Sequence, residues 1–182
     1  MDLAFVIDAN FSPSDWQCVM DLVNRTASRL NLGETQAHVA DIRFTNDSEL
    51  VQPLEGTYLV NFTQPRGSGR NLASAIWNTR RIIFNSKDGD RTEVPDVVVI
   101  VIGGQSDNGS LSIEAANDSK ADGIRLYVVS VGENVDISEL RSISSNLSSV
   151  DQLHVHLANQ LVGAVLSPLV ERICSFPIEG NF

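Results

Sequence analysis

The stretch that decides the fold is Leu3-Ala4-Phe5-Val6-Ile7-Asp8-Ala9-Asn10-Phe11-Ser12-Pro13. It begins with five apolar residues, which is typical of a buried strand. Three oxygen-bearing side chains, Asp8, Asn10 and Ser12, then alternate in a short loop before an amphipathic helix. Because the strand leads directly into a helix, the loop is predicted to lie at the carboxyl edge of a sheet, where open α/β sheets bind ligands.

The rest of the chain alternates strand and helix patterns, which favours parallel pairing with right-handed crossovers. Further strands are predicted at 37–44, 49–54, 97–102, 125–131 and 153–155, and helices at 12–30, 71–85, 112–121, 136–144 and 157–173. The length of 182 residues indicates one domain, which we place at residues 1–176. We interpret residues 177–182 as a linker stub to a following domain, because Pro177 and Gly180 interrupt any regular pattern.

The charge balance excludes some classes of partner. The chain has 13 basic and 23 acidic residues, so its net charge is -10. Nucleic acid and anionic membrane surfaces are bound by clustered lysine and arginine, so neither is an expected partner. No apolar run approaches the ~20 residues that span a bilayer, so we expect no membrane insertion.

Seven Asn-x-Ser/Thr sequons indicate a secreted domain that carries surface glycans. The best candidates are the four that we expect in loops or on polar helix faces, at Asn24, Asn46, Asn108 and Asn117. Asn10 is the least suitable, because it belongs to the tight loop before the first helix. The alternative is that a surface rich in Ser and Asn contains sequons without glycans.

The order of motifs resembles that of von Willebrand factor A-type domains. The motifs are the D-x-N-x-S loop, the segment 67–76, the strand 97–102 that ends in Gly-Gly, and the sequence DGIRLYVVSVG at 122–132. The last segment is most similar to the A domains of collagen VI, matrilins and related extracellular matrix proteins. The resemblance implies an α/β fold: a doubly wound, mostly parallel sheet of about six strands with helices on both faces.

The same resemblance implies a degenerate metal-ion-dependent adhesion site. Asp8 and Ser12 match family ligands, and Asn10 replaces a serine. Leu72 stands where the family has a threonine ligand, and Gly103 stands where it has an aspartate. Because a hard cation such as Mg²⁺ needs nearly six oxygen ligands, we expect no bound metal and no other cofactor.

Two alternatives concern the same loop. In the first, Ser106 or Asp107 replaces the missing ligands, and the domain remains a metal-dependent adhesion domain. In the second, the loop residues have purely structural roles: Ser12 caps the first helix and Asp8 accepts hydrogen bonds from its own turn.

The two cysteines are predicted to form a bridge. Cys18 lies roughly 150° from the apolar stripe of its helix, so it is not an ordinary core cysteine. An even number of cysteines in a secreted chain favours a Cys18–Cys174 disulfide, and two free thiols or pairing with another chain is the alternative.

No catalytic motif is recognisable, so we do not expect an enzyme. The resemblance implies an extracellular domain that binds collagen or another matrix protein without metal. The alternative function is a structural spacer or self-assembly module that contacts neighbouring domains of the same assembly.

Overall fold

The fold is built on one sheet of six strands. The computed structural model describes residues 1–85, 90–146 and 152–175. The strands are β1 Asp2–Asp8, β2 His38–Phe44, β3 Ser48–Glu55, β4 Asp96–Ile102, β5 Arg125–Val131 and β6 Gln152–Val155. Their spatial order is β3-β2-β1-β4-β5-β6, and every pair is parallel except β2 with β3. The strand order reverses between β1 and β4, which is the point where doubly wound sheets bind ligands.

Helices cover both faces of this sheet. They are α1 Pro13–Ala27, α2 Leu72–Asn78, α3 Gly109–Ala121, α4 Ile137–Ile143, α5 Leu161–Ala164 and α6 Leu166–Cys174. A π-helical turn, Thr79–Ile83, follows α2, and a 3₁₀ turn, Ala158–Gln160, precedes α5. The doubly wound, mostly parallel α/β fold predicted from the sequence is therefore confirmed.

The central strands are apolar on both sides because both sides are covered. In β1, Leu3, Phe5 and Ile7 pack in one core with α1, α5 and α6. The intervening Ala4 and Val6 pack in a second core with α2, α3 and α4. This alternation is the period-2 geometry of a strand, and burial on both faces explains the continuous apolar run in the sequence.

The helix prediction for the last described part of the chain is partly wrong. The single helix expected over 157–173 is divided into the 3₁₀ turn, α5 and α6. Pro168 lies in the first turn of α6, where a missing backbone N–H costs no helical hydrogen bond. Leu157, the first residue of the predicted helix, precedes the helical residues and is 59% exposed.

Two further sequence expectations concern the linker stub and the absence of a membrane span. The predicted linker stub at 177–182 lies outside the described residues. Within the described residues, no helix combines the length and apolar composition needed to cross a bilayer.

Candidate functional site

Asp8 is the centre of the candidate site at the carboxyl edge of the sheet. It is the last residue of β1, and its side chain is fully buried. Its Oδ1 accepts hydrogen bonds from the backbone N–H of Asn10 at 2.9 Å and from Asn10 Nδ2 at 3.2 Å. Its Oδ2 accepts from Arg70 Nε at 2.6 Å and from the backbone N–H of Gly103 at 3.1 Å. A carboxylate has about four lone-pair sites, so each site here already has a protein donor.

Arg70 supplies the positive charge at this site. Its guanidinium forms an ion pair with Asp8, and its side chain is 25% exposed. The backbone N–H of Arg70 donates to Asp107 Oδ2 at 2.8 Å, and its carbonyl accepts from the backbone N–H of Asp107 at 3.0 Å. No local pattern points to this arginine, because 62 residues separate it from Asp8. Its position inside the segment 67–76 is the only signal that sequence reasoning offers.

The other two residues of the D-x-N-x-S loop have different roles. Asn10 directs its amide nitrogen to Asp8 and to the carbonyl of Gly69, at 2.5 Å from the latter. Ser12 is the N-cap of α1: its Oγ accepts from the backbone N–H of Asp15 at 3.2 Å. The same Oγ donates to the Asp15 carboxylate at 2.8 Å. The structure therefore brings Asp8 and Asn10 together, whereas Ser12 forms its hydrogen bonds within the first turn of α1.

Leu72 and Gly103, the two positions predicted to lack metal ligands, have other packing roles in the structure. Leu72 is fully buried in the core beneath α2 and offers no oxygen. A Cβ built on Gly103 would collide with the ring of Phe11. A Cβ on Gly104 would lie 2.7 Å from Arg70 Cζ. The space beside these glycines therefore belongs to the Phe11 ring and the Arg70 guanidinium.

Ser106 and Asp107, the two residues that the sequence offered as replacement ligands, bind other groups. Ser106 Oγ donates to Glu139 Oε1 at 2.5 Å, and Asp107 binds the backbone of Arg70. Burial raises the pKa of Glu139 above its ordinary value, and the hydrogen bond from Ser106 opposes this rise. Both residues hold the loops around the site, and neither forms a hydrogen bond with Asp8.

A strap of residues 57–66 lies beside the site and is fastened by Arg43. This arginine is 1% exposed and pairs with Asp41 at 2.7 Å, on the same face of β2. Its guanidinium donates to the carbonyls of Asn61 and Thr63, and it lies 5.2 Å from the ring centroid of Trp16. Burial raises the pKa of Asp41, and the hydrogen bond from Arg43 opposes this rise. The buried pair thus binds the strap to the sheet.

The strap also contacts the loop that follows β1. Gln64 Nε2 donates to the carbonyls of Ala9 and Phe11, at 2.8 Å in each case. Trp16 Nε1 donates to the carbonyl of Phe62 at 2.8 Å. The position of the Phe11 ring over Gly103 is therefore coupled to the strap.

A third group of carboxylates lies at the opposite edge of the sheet. Asp2 is buried and pairs with Arg91 at 2.5 Å. Oxygens of Asp2, Asp90 and Asp96 lie within 4.8 Å of one another. Burial, followed by the charges of Asp90 and Asp2, raises the pKa of Asp96 to about 7. The Asp96 carboxyl group is therefore protonated in mildly acidic solution.

The remaining predicted residues lie on the surface or close to it. Asn46, Asn108 and Asn117 are exposed, and Asn24 is half-buried, so their glycosylation stays a prediction. Asn108 also caps α3 through its side-chain oxygen.

The predicted disulfide is not formed in the structure. Cys18 is half-buried on α1, Cys174 is exposed at the end of α6, and both thiols are free. The bridge therefore stays a prediction for the protein in an oxidising environment.

Comparison with known proteins identifies relatives that share this fold. The family model of the von Willebrand factor type A domain matches residues 2–161. The chain is 23% identical to the collagen alpha-5(VI) chain of Mus musculus, over 96% of this chain and 7% of that one. It is 27% identical to matrilin-1 of Gallus gallus, over 80% of this chain and 31% of that one. The chain thus spans less than a third of the length of either relative.

Solved structures also match, and they include two whose names state a bound metal. Proximal thread matrix protein 1 from the mussel byssus, with a zinc-occupied MIDAS motif, superimposes with a TM-score of 0.83 at 22% identity. That alignment covers 95% of this chain and 45% of the mussel protein. Manganese-loaded TRAP protein of Plasmodium vivax gives a TM-score of 0.72 at 15% identity, over 90% of this chain and 70% of that one. At these identities the likeness establishes the fold.

Proposed function

Because the chain belongs to the von Willebrand factor type A family, we propose that it is a non-catalytic extracellular domain that binds another matrix protein without a divalent cation. Collagen is the first partner to test. The matrix setting is supported by the relatives, a collagen VI chain and a matrilin. Sequons at exposed asparagines also support an extracellular location.

The observation that carries the metal-independent part of this proposal is the environment of Asp8. All four lone-pair sites of its carboxylate accept hydrogen bonds from Asn10, Gly103 and Arg70. A divalent cation at this point would have to displace a guanidinium that is already paired at 2.6 Å. It would also gain no oxygen from Leu72 or Gly103, so it would bind in competition with the protein's own charge.

A binding experiment tests the proposal directly. The purified domain is passed over immobilised fibrillar collagen, over network-forming collagen and over albumin, in buffers with Mg²⁺, Ca²⁺, Zn²⁺ or a chelator. We expect the same dissociation constant for collagen in every buffer and no binding to albumin. A type A domain whose metal site is occupied is measured in the same buffers as a control, to show that the chelator removes a bound ion.

Each other outcome has a defined meaning. Binding that disappears in chelator would overturn the metal-independent mode. Absence of collagen binding, together with concentration-dependent self-association in ultracentrifugation, would replace the binding role by the spacer or self-assembly role. Neither result would affect the family assignment, which depends on the sequence match over residues 2–161.

A further inference from the structure

Three of the seven sequons lie in loops at the carboxyl edge of the sheet, around the Asp8 site. Asn46 follows β2, Asn61 lies in the strap and Asn108 follows β4. Each of these asparagines is exposed, whereas Asn10, which belongs to a fourth sequon at the same edge, is half-buried. Asn61 is not among the four candidates that the sequence favoured, and only the folded strap places it at this edge.

We propose that Asn46, Asn61 and Asn108 carry N-linked glycans, and that these three glycans close the carboxyl edge of the sheet to protein partners. The inference rests on the proposed function, because it concerns the matrix partner of the same extracellular domain. It goes further by assigning a carbohydrate covering to this edge and by directing the partner to the helical faces or to the opposite edge of the sheet.

The loops that carry Asn46 and Asn108 meet at Gly69. A Cβ built on Gly69 would lie 2.1 Å from Asn46 Oδ1 and 2.8 Å from Asp107 Oδ2. Asp107 directly precedes Asn108, so both sequons belong to loops that lie against the same glycine. The carbonyl of Gly69 also accepts from Asn10 Nδ2 at 2.5 Å, so both loops border the loop that follows β1.

Asn61 borders the same loop from the strap. Its carbonyl accepts a hydrogen bond from the Arg43 guanidinium, and its Oδ1 accepts from the backbone N–H of Thr63 at 2.9 Å. Gln64, the residue after this sequon, donates to two carbonyls of the loop that follows β1. The backbone of the sequon is thus fixed to the sheet and to that loop, whereas the Asn61 side chain is exposed.

The side-chain hydrogen bonds of these asparagines are compatible with glycans. Transfer from a lipid-linked oligosaccharide replaces one N–H bond of Nδ2 by a bond to C1 of the first sugar, and the lipid pyrophosphate leaves with the proton. Among the described residues, Asn61 and Asn108 form side-chain hydrogen bonds only through Oδ1, which accepts from Thr63 and Leu111 respectively. A glycan on Nδ2 leaves both bonds intact, so Asn108 still caps α3.

Asn10 lies at the same edge but does not meet this condition. Its Nδ2 donates to Asp8 Oδ1 at 3.2 Å and to the carbonyl of Gly69 at 2.5 Å, so both of its N–H bonds are in use. A sugar on this nitrogen would remove one of these hydrogen bonds beside a fully buried carboxylate. We therefore expect Asn10 to carry no glycan.

Glycans at the three positions would restrict where a partner can bind. A stable protein interface needs roughly 800 Å² of continuous surface on each partner, and bulky hydrated sugars on three loops interrupt the surface of this edge. The strap also presents two exposed apolar side chains, Leu59 at 81% and Phe62 at 45%, on either side of Asn61. A glycan on Asn61 would cover these side chains, which are otherwise an apolar contact surface.

The first test is a map of the glycans on the domain secreted from eukaryotic cells. Enzymatic deglycosylation in heavy-oxygen water converts each glycosylated asparagine into a labelled aspartate, which peptide mass spectrometry locates. We expect label at Asn46, Asn61 and Asn108, and none at Asn10. A bare asparagine at any of the three positions, or label at Asn10, would overturn the proposal.

Variants at the sequon hydroxyls remove the glycans and keep the asparagine side chains. Ser48→Ala, Thr63→Ala and Ser110→Ala should each lower the mass of the secreted protein by one glycan. Ser12→Ala is the matched control: it removes the sequon of Asn10 and should leave the glycan mass unchanged. The first three substitutions together give a triple variant whose carboxyl edge is bare.

The second test measures access to the edge with trypsin, a probe of protein size. Arg66 and the two residues after it are consecutive exposed residues at this edge, so trypsin is expected to cut after Arg66 in the bare domain. The secreted wild-type chain should be cut there several-fold more slowly than the secreted triple variant. The two chains produced without glycans in bacteria should be cut at the same rate, and equal rates for the two secreted chains would overturn the proposal.

Collagen binding separates this inference from the proposed function. We expect the secreted wild-type chain and the secreted triple variant to bind collagen with the same dissociation constant. Tighter binding by the triple variant would show that the partner uses the edge, and would overturn the inference. If neither chain binds collagen, the collagen proposal fails, while the glycan map and the trypsin rates still decide whether the edge is covered. If the triple variant does not fold, the enzymatically deglycosylated wild-type chain replaces it in both measurements.

Discussion

Two buried aspartate–arginine pairs differ in how they are built. Asp41 and Arg43 are two residues apart on one face of β2, and both side chains are at most 2% exposed. Asp8 and Arg70 are 62 residues apart, and Arg70 retains an exposed side. The first pair is enclosed and fastens a loop, whereas the second lies at the carboxyl edge of the sheet, where its arginine meets solvent.

The comparison teaches that equal chemistry does not imply an equal role. Arg43 is surrounded by fixed acceptors, because the strap carbonyls and Asp41 take up its donors. Arg70 pairs with a single carboxylate and leaves part of its side chain toward solvent. Loss of Arg43 should therefore cost more stability than loss of Arg70, since Arg43 donates to more fixed acceptors.

The largest effect is expected for Arg43→Ala. The substitution leaves the Asp41 charge buried and two strap carbonyls without their donor, so it should lower the free energy of unfolding by about 3–5 kcal/mol. Urea unfolding followed by tryptophan fluorescence measures the loss, since Trp16 lies 5.2 Å from this guanidinium. Arg25→Ala is the matched control: Arg25 also pairs with an aspartate, but its side chain is 55% exposed, and removing it should cost less than about 1 kcal/mol. Equal losses in the two variants would show that burial does not distinguish these pairs.

A smaller loss of stability is expected for Gly104→Ala, which tests the position of the Arg70 guanidinium in the second pair. The new Cβ would meet the Arg70 guanidinium at 2.7 Å, and such overpacking costs about 1–3 kcal/mol. In an Arg70→Ala background the same methyl group meets no guanidinium, so most of this cost should disappear. A double-mutant cycle of unfolding free energies measures the coupling. Strictly additive losses would mean that the guanidinium does not occupy the position described.

Ser12→Ala tests whether the third loop residue has a structural role or binds an ion. As the N-cap of α1, Ser12 should contribute about 1 kcal/mol, independent of divalent cations. Thermal melts of the variant and the wild-type chain, each with Mg²⁺ and with chelator, should give one constant difference. A difference that grows with Mg²⁺ would instead assign the hydroxyl to an ion. Ser110→Ala serves as control, because Ser110 is exposed in the first turn of α3, where Asn108 is the capping residue.

The last prediction concerns pH, and a carboxylate for which the described residues provide no arginine partner. Asp96 has a pKa of about 7 in the folded chain, against an ordinary value of 3.8. Between these two values the folded state keeps a proton that the unfolded chain has lost. The free energy of unfolding should therefore fall as pH rises from about 4 to about 7.

Asp96→Asn should flatten this part of the pH profile and raise stability at neutral pH relative to the wild-type chain. Chemical unfolding at several pH values measures the slope, with Asp21→Asn as the exposed control. An unchanged slope in Asp96→Asn would contradict the raised pKa. The contrast with Asp2, which has Arg91 as its partner, extends the comparison of paired and unpaired carboxylates to the opposite edge of the sheet.

The sequence by itself determined the layers of the fold and the local roles of several residues. The apolar runs of β1 and β4 and the stripe of α1 predicted burial correctly, because alternation in strands and the helical repeat depend only on nearby residues. The cap of α1 at Ser12 was readable for the same reason. The absence of oxygen at Leu72 and Gly103 was also visible, because a side chain's chemistry does not depend on the fold.

Only the tertiary structure decided what stands beside Asp8. Arg70 lies in the loop before α2, whereas Gly103 and Asp107 lie in the loop between β4 and α3. Their meeting with Asp8 depends on the crossovers that bring β1, α2 and β4 to one edge. Local patterns carry no information on such a contact, since a charge finds its partner through space and not through spacing along the chain. The sequence therefore predicted which positions lack a side-chain oxygen, whereas the packed structure placed the Arg70 guanidinium beside the Asp8 carboxylate.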